Sequence, residues 1–277
     1  MAIKLDLVGK KSDPVPFVYT WKDAVLYSLA VGAKESELDF LYEGRGPKVL
    51  PTFAVVPSFA SMISVAGNLG ANPMMILHGE QAIRLHRPIA PSGKLSTTSE
   101  VKAIYDKGKG ALVVVEALTV DEKHEPVFDN TFSIFVRGEG GFGGERGPEA
   151  VKSDAPNRAP DFEVVEATSR EQALLYRLCG DINPLHADPG LAKFGGFDRP
   201  ILHGLCTFGF AGRAILKSVC NGDPLKLRSF GVRFAGPVFP GDTLTTRGWK
   251  NPDGRYLVTT STQENKVVLS HAFVEIA

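Results

Sequence analysis

The sequence predicts an α+β protein built from two copies of one unit, each an antiparallel sheet wrapped around a long helix. Two observations carry this prediction. The 277-residue chain matches itself at one offset, and each half contains one long apolar helix followed by several alternating strands. A helix and a sheet that each have one apolar face bury those faces against each other, so this order of elements indicates an α+β fold.

The internal match has no gaps. Tyr27 aligns with Tyr176, an offset of 149 residues, and the strongest segment sets Ile83-Arg-Leu-x-x-Pro-Ile-x-Pro against Val232-Arg-Phe-x-x-Pro-Val-x-Pro. Other identities at this offset pair Leu29 with Leu178, Pro51 with Pro200, Phe59 with Phe208 and Leu95 with Leu244. Because internal repeats usually report architecture, we interpret the halves as two copies of one fold.

Each half is expected to hold the same order of elements. A short helix is predicted at 23–31 and 170–179, and a longer apolar helix at 58–68 and 205–219. Alternation of apolar and polar residues is the signal for the strands that follow. They are expected at 80–89, 96–105, 111–119 and 127–137, and at 227–238, 243–249, 256–262 and 266–274.

A glycine- and proline-rich segment separates the copies. It predicts an N-terminal unit at 1–137, a linker at 138–160 and a C-terminal unit at 161–277. The linker begins with a G-x-G-x-x-G match, Gly138-Glu-Gly-Gly-Phe-Gly143. A dinucleotide site needs a helix to open there, and the following Gly147-Pro148 opposes one, so the linker interpretation is favoured.

Composition excludes several classes of protein. Lys+Arg and Asp+Glu both number 31, and this zero net charge argues against a nucleic-acid binder. The three cysteines form no Cys-x-x-Cys pair, which favours a reducing intracellular compartment. We expect no signal peptide and no membrane span, because no apolar run is long enough to cross a bilayer. The chain ends Val274-Glu-Ile-Ala277, so no peroxisomal signal is readable there.

A polar loop in the second half is the first candidate for chemistry. Gly180 suits the end of a helix, and Pro184 keeps the next residues out of a helix, so Asp181, Asn183 and His186 are expected on a tight loop. A carboxylate beside an imidazole can share proton transfer, and an amide can orient the pair. Asp and Asn are also ordinary turn residues, so each alone is equally explained as loop structure.

A glycine that opens the long helix is the second signal. Gly204 follows Arg199-Pro-Ile-Leu-His203, and the first N–H groups of a helix lack internal acceptors. With no side chain at Gly204, a thioester oxygen could approach such an N–H, which would stabilise a developing enolate. Close packing is the alternative reason for a glycine here.

The first half of the repeat serves as a control for the candidate residues of the second half. At the offset of 149, Asp181 and His186 align with Gly32 and Glu37, so only the second half carries the chemical side chains.

A metal site is the rival interpretation, since Asp181, His186, Asp188 and His203 are all potential ligands. None of the usual zinc spacings occurs, so no metal is expected.

These motifs closely resemble one family. Tyr176-Arg-Leu-Cys-Gly-Asp-Ile-Asn-Pro-Leu-His-Ala-Asp-Pro189, with Pro200-Ile-Leu-His-Gly-Leu205, resembles the signature of MaoC-like (R)-specific enoyl-CoA hydratases. The resemblance extends from about Tyr27 to the C-terminus and is to the eukaryotic hydratase 2 type, which includes the hydratase part of peroxisomal multifunctional enzyme type 2. It implies a double hotdog whose degenerate N-terminal half accommodates the acyl chain.

The resemblance also implies an activity and a set of residues. The activity is reversible hydration of trans-2-enoyl-CoA to (R)-3-hydroxyacyl-CoA, without metal or redox cofactor. Asp181 and His186 are implied as the acid–base residues, Asn183 as their orienting partner and Gly204 as the oxyanion donor. Implied substrate contacts are His78, Gly79, Lys107 and Phe234; Lys107 suits a CoA phosphate by charge, although an exposed lysine in a turn needs no ligand.

Two other functions stay open on this scaffold, because a fold does not fix an activity. They are an acyl-CoA thioesterase and a non-catalytic acyl-CoA-binding protein. The resemblance implies an acyl-CoA thioester as the substrate and a homodimer as the assembly. A peroxisomal location is expected in a eukaryote and a cytoplasmic one in a bacterium.

Overall fold

Ten strands form one continuous antiparallel sheet in the computed structural model, which describes residues 3–72, 75–149 and 155–277. Those of the first half are β1 (Val15–Tyr19), β2 (Ile76–Leu85), β3 (Gly93–Asp106), β4 (Gly110–Asp121) and β5 (Pro126–Arg137). Those of the second half are β6 (Phe162–Ala167), β7 (Leu227–Phe234), β8 (Thr243–Lys250), β9 (Tyr256–Thr262) and β10 (Val267–Ile276). The spatial order is β1-β3-β4-β5-β2-β7-β10-β9-β8-β6.

One long helix lies against the sheet in each half. The helices are α1 (Trp21–Ala30), α2 (Leu38–Leu41), α3 (Val55–Asn68), α4 (Gln172–Tyr176), α5 (Pro189–Phe194) and α6 (Gly204–Val219). The long helix α3 packs on β3 and β4, and α6 packs on β7 and β8. A capping box formed by Thr20 and Asp23 fixes the start of α1, which satisfies N–H groups that the helix itself cannot.

The predicted α+β architecture is confirmed, with two corrections at the level of elements. The edge strands β1 and β6 were not predicted, since both are short and pair on one side only. The helix predicted at 170–179 is shorter: α4 ends at Tyr176, and a 3-10 turn at Arg177–Cys179 follows. Gly180 then takes the left-handed region with φ 119°, the conformation expected of a glycine just past a helical end.

The two halves join through their equivalent strands. In the pairing of β2 with β7, Ala82 faces Gly231, and these two positions also match at the offset of 149. The junction is therefore nearly two-fold symmetric. A Cβ on Gly231 would lie 3.2 Å from the Ala82 side chain, so the glycine allows the strands their close approach.

The buried core is not divided evenly between the halves. One cluster joins side chains of both, among them Tyr27 and Phe53 with Phe208 and Phe230. A second cluster belongs to the first half alone and lies under α3. The second half thus buries its apolar residues largely together with those of the first.

The described part of the segment 138–160 is irregular, and residues 150–154 of that predicted linker lie outside the described residues. Its G-x-G-x-x-G motif holds a carboxylate of the protein itself. The backbone N–H groups of Gly141 and Gly143 each donate to Asp106 at 2.8 Å. The same backbone groups that would cradle a pyrophosphate are thus occupied, which agrees with the linker interpretation.

Two further expectations bear on the environment of the chain. All three cysteines are free thiols. In the stretches that the structure describes, every helix is too short or too polar to cross a membrane.

Candidate active site

The loop after α4 brings the predicted acid–base residues together. Asp188 caps α5 by accepting from Gly190 and Leu191, and Pro184 starts the 3-10 turn Pro184–His186. The proline and the cap of α5 fix the conformation of the loop. His186 is 8% exposed, and ligand atoms of Asp181 and His186 lie within 4.8 Å of one another. The carboxylate and the imidazole therefore face a common space.

A backbone carbonyl fixes the tautomer of His186. Its Nδ1–H donates to the main-chain oxygen of Ile201 at 2.9 Å, because a carbonyl can only accept. In the neutral ring the proton therefore sits on Nδ1, and Nε2 carries the lone pair. This is the arrangement that a general base requires.

Burial moves the pKa values of the pair toward each other. It raises the pKa of Asp181, against the attraction of His186, and it lowers the pKa of His186, against the Ile201 hydrogen bond and the charge of Asp181. Each direction follows from the cost of holding a charge in a poorly solvated site. Shifts in these directions favour transfer of a single proton between the two groups.

Asn183 takes a different position from the one that the sequence suggested. Its exposed side chain accepts from the backbone N–H of Leu185 at 3.0 Å and caps the 3-10 turn. Its own backbone N–H donates to the carboxylate of Asp181 at 3.2 Å. The residue orients Asp181 through its main chain, and its amide stabilises the turn.

Gly204 is the first residue of α6, so its N–H has no acceptor within the helix. The predicted contact residue Phe234 lies beside it, since a Cβ on Gly204 would be 3.1 Å from the Phe234 ring. The ring of His78 meets Phe234 edge-on, with centroids 4.9 Å apart. The structure thus brings Gly204, Phe234 and His78 into one apolar wall.

The two remaining predicted residues both lie in the first half. Gly79 is the extra residue of a β-bulge in β2, and a Cβ there would approach the Ser133 carbonyl oxygen at 3.2 Å. Lys107 lies in the turn between β3 and β4, where its ammonium donates to the main-chain oxygen of Arg146. The role of Lys107 in phosphate binding stays a prediction.

Comparison with known proteins decides the family. Residues 17–138 match the family model of the MFE-2 hydratase 2 N-terminal domain, and residues 151–271 match the MaoC like domain. The "Probable enoyl-CoA hydratase 2" of Dictyostelium discoideum is 41% identical over 95% of this chain and 93% of its own length. The chain belongs to the MaoC-like hydratase 2 family.

Other relatives and solved structures agree with this assignment. The "3-hydroxyacyl-thioester dehydratase Y" of Mycobacterium tuberculosis is 42% identical over 99% of both chains. The crystal structure of a MaoC-like dehydratase from Phytophthora capsici superimposes with a TM-score of 0.90 at 34% identity, covering 99% of this chain and 98% of the other. A Mycobacterium tuberculosis protein with a double hotdog fold superimposes at a TM-score of 0.61 and 16% identity, covering 97% and 96%, which supports the fold alone.

One residue of this hydratase 2 protein has a larger part in the site than the sequence suggested. The sequence suggests His203 only as a potential metal ligand, yet its ring stacks on His186 with centroids 3.8 Å apart and planes 30° apart. Asp181, His186 and His203 form the only cluster of potential metal ligands among the described residues. The expectation that no metal binds here stays a prediction.

Proposed function

We propose that this protein catalyses the reversible hydration of trans-2-enoyl-CoA to (R)-3-hydroxyacyl-CoA in fatty-acid metabolism. The observation that carries the proposal is the convergence of Asp181 and His186 on one site next to the N-terminus of α6. The names of the relatives, enoyl-CoA hydratase 2 and 3-hydroxyacyl-thioester dehydratase, support the same reaction.

The geometry supports a stepwise assignment of roles. The Gly204 N–H donates to the thioester oxygen and stabilises the negative charge that develops there. One member of the Asp181–His186 pair removes a proton from water as its oxygen adds to the β-carbon, and the other protonates the α-carbon. The pair begins and ends with one proton, which has moved from one member to the other, so the reverse dehydration uses the same groups.

The substrate is proposed to lie along the wall formed by Gly204, Phe234 and His78. Burial lowers the pKa of His78 to about 4, so its ring is neutral at physiological pH and suits contact with an uncharged thioester. Lys107 is proposed to contact a CoA phosphate, and the N-terminal half to accommodate the acyl chain. No metal or redox cofactor is required by these steps.

Assembly and location belong to the same proposal. We infer a homodimer, and a peroxisomal location if the source is a eukaryote or a cytoplasmic one if it is a bacterium. A relative from Arabidopsis thaliana is named "Enoyl-CoA hydratase 2, peroxisomal", which supports the eukaryotic alternative.

Substitution of the pair tests the function. Asp181→Asn and His186→Ala should each lower the turnover of crotonyl-CoA by about a hundredfold or more, the scale of lost acid–base catalysis. The measurement is loss of the enoyl absorbance, and circular dichroism checks that each variant folds. His86→Gln, which removes an exposed imidazole paired with Asp129, is a matched control and should keep wild-type turnover. Near-normal turnover in both site variants would overturn the assignment.

The product distinguishes the proposed reaction from its alternatives. Chiral analysis after hydration of trans-2-decenoyl-CoA should give the (R)-3-hydroxy product. Release of free thiol without loss of the enoyl absorbance would indicate a thioesterase, and tight binding without turnover would indicate a binding protein. Loss of activity on chelation would indicate a metal-dependent reaction.

A further inference from the structure

His203 lies at the centre of the site without a conventional role. It is the residue before α6, yet its side chain makes no capping hydrogen bond to the helix. Histidine is not among the residues preferred at this position, where Ser, Thr, Asp and Asn dominate. The ring is only 1% exposed, so helix capping and surface solvation do not explain it.

The ring of His203 is held between two aromatic neighbours. It stacks on His186, and it also approaches the buried ring of Tyr176, with centroids 4.9 Å apart. Its Nε2–H donates to the main-chain oxygen of Asp181 at 3.1 Å. The same side chain thus touches both members of the acid–base pair.

The other ring nitrogen is an unsatisfied acceptor. Nδ1 of His203 is fully buried and has no hydrogen-bond partner, which is unfavourable for stability. Burial, helped by the nearby charge of His186, lowers the pKa of His203 to about 3, so the ring is neutral in the working range of pH. A smaller apolar residue would avoid the unsatisfied atom, so the cost points to a function of the ring.

We propose that His203 is a positioning residue for the hydration reaction, which fixes the Asp181 peptide through Nε2–H and holds His186 in register by stacking. Neighbouring groups of the same segment complete the arrangement. The Ile201 carbonyl fixes the His186 tautomer, and Gly204 begins the helix that supplies the oxyanion donor. Three residues of the segment 201–204, Ile201, His203 and Gly204, therefore align the acid–base pair and the oxyanion donor with one another.

Neutrality of the ring is part of this role. When His186 takes up a proton during the reaction, an uncharged aromatic face against it is tolerated, whereas a second cation would repel it. The groups that act on His203 are the buried phenol of Tyr176, the charge of His186 and, as the smallest effect, the charge of Arg177, and both of these charges lower its pKa.

Two substitutions separate the hydrogen bond from the stacking. His203→Phe keeps an aromatic face and loses the N–H, whereas His203→Gln keeps a donor near the Nε2 position and loses the ring. Misplacement of catalytic groups by about 1 Å can cost about a hundredfold. We therefore expect kcat for crotonyl-CoA to fall by roughly ten- to a hundredfold in both variants, with KM changed by less than about threefold.

The pH profile and the affinity for an unreactive substrate analogue distinguish positioning from a merely structural role. A positioning role predicts an unchanged dissociation constant for a saturated acyl-CoA together with a shifted pH profile of kcat/KM in His203→Gln. Higher activity in His203→Gln than in His203→Phe would assign the larger part to the hydrogen bond, and the reverse order to stacking. Wild-type kcat and pH profile in both variants, or a change confined to KM, would overturn the proposal.

A measurement on the unmodified protein covers the case in which both variants misfold. Nitrogen-15 NMR of the histidine rings reports the tautomer and charge of each imidazole. His203 should show the Nε2–H tautomer with an unprotonated Nδ1 and no titration between pH 5 and 9. Protonation of His203 in that range, or the opposite tautomer, would contradict the role. Because hydration itself is tested by Asp181→Asn, failure of the positioning role and failure of the proposed function are distinguishable.

Discussion

In the proposed reaction, Asp181 and His186 form a unit that works with a single proton. Burial raises the pKa of the carboxyl and lowers that of the imidazole, which brings two ordinarily distant values, about 3.9 and about 6.5, closer together. A reversible reaction needs each group to act as acid in one direction and as base in the other. Shifts in these directions favour that exchange, because they reduce the difference in acidity between the two groups.

The shared proton predicts a bell-shaped pH dependence. Activity should fall at low pH, when the pair gains a second proton, and at high pH, when it loses the only one. The two apparent pKa values belong to the pair and should both change in Asp181→Asn. The measurement is kcat/KM against pH with an enoyl-pantetheine, because this substrate lacks the CoA phosphate whose second pKa is about 6. A flat profile between pH 5 and 9 would contradict the single-proton unit.

The contact between Gly204 and Phe234 predicts how the helix terminus tolerates a side chain. An added Cβ would lie 3.1 Å from the ring, closer than the usual carbon–carbon contact of about 3.5–4.0 Å, so Phe234 must move. Gly204→Ala should therefore lower kcat/KM by roughly ten- to a hundredfold while the fold persists. Adding Phe234→Leu should recover part of the loss. Simple additivity of the two single variants would show that the side chains do not act through each other.

Most of the site could be predicted from residues, but not its internal contacts. The sequence placed Asp181 and His186 on one loop, and the structure brings their ligand atoms within 4.8 Å of one another, whereas the catalytic roles of both residues and of Gly204 stay predictions. The role of His203 was missed, since stacking between residues 17 positions apart leaves no periodic signal. For Asn183 the residue type suggested an orienting amide, whereas the backbone N–H makes that contact and the amide caps a turn.

At the scale of elements, the loop that is proposed to be catalytic in the second half has a structural role in the first. Glu37 occupies the repeat position of His186, and it pairs with the buried Arg213 of α6. Arg213 also donates to the Val31 carbonyl oxygen at 3.0 Å and to Glu166 of β6 at 3.1 Å. This cluster ties the degenerate loop of the first half to the helix that opens at Gly204.

The cluster predicts a pH-dependent contribution to stability. Although burial opposes it, the Arg213 hydrogen bond holds the pKa of Glu37 below its usual value. A depressed pKa means stability that is present above the unfolded value, about 4.3, and is lost as pH falls through the folded value. Glu37→Gln should lower the free energy of unfolding by about 1–3 kcal/mol at pH 7, the scale of a hydrogen bond to a charged group.

Urea unfolding at pH 7 and pH 3 measures this effect. The difference between wild type and Glu37→Gln should be smaller at pH 3 than at pH 7, because protonation of the wild-type carboxyl as pH falls removes the charge that Arg213 binds. Glu35→Gln, two residues away and exposed, is the matched control and should change stability little at either pH. A pH-independent difference would mean that the substitution acts through packing instead of charge.

The strands with a long alternating pattern were predicted, whereas the two short strands at the edges of the sheet were not. The strands β2 to β5 and β7 to β10 alternate over seven or more residues, and all were predicted. β6 spans six residues and β1 only five, with Pro16 inside it, so neither pattern was long enough to separate from a loop. The 3-10 turn after α4 was predicted as part of the helix, because its residues are as compatible with an α-helix as with a 3-10 turn.

For the whole molecule, the repeat revealed two copies but not how they meet. The junction of β2 with β7 pairs equivalent positions about a nearly two-fold axis, so it places α3 and α6 on one continuous sheet. Comparison of the sequence with itself does not show which strands of the two copies pair, because this pairing and its register are set only in the folded structure. The shared core helps to hold the two copies together, since Tyr27 and Phe53 of the first half pack with Phe208 of the second.

This asymmetric core predicts that the second half cannot fold alone, although it carries the acid–base pair. A fragment of residues 155–277 would expose the β7 edge and the apolar side chains that Tyr27 and Phe53 cover, whereas residues 1–149 keep the cluster under α3. The C-terminal fragment should therefore lack cooperative thermal unfolding and hydratase activity, and mixing it with the N-terminal fragment during refolding should restore both. Phe53→Ala in the N-terminal fragment should impair this recovery more than Met62→Ala, because only Phe53 lies in the shared core, while each substitution removes a large buried side chain worth about 2–5 kcal/mol. An isolated C-terminal fragment that unfolds cooperatively and hydrates enoyl-CoA would show that the second copy retains an independent core.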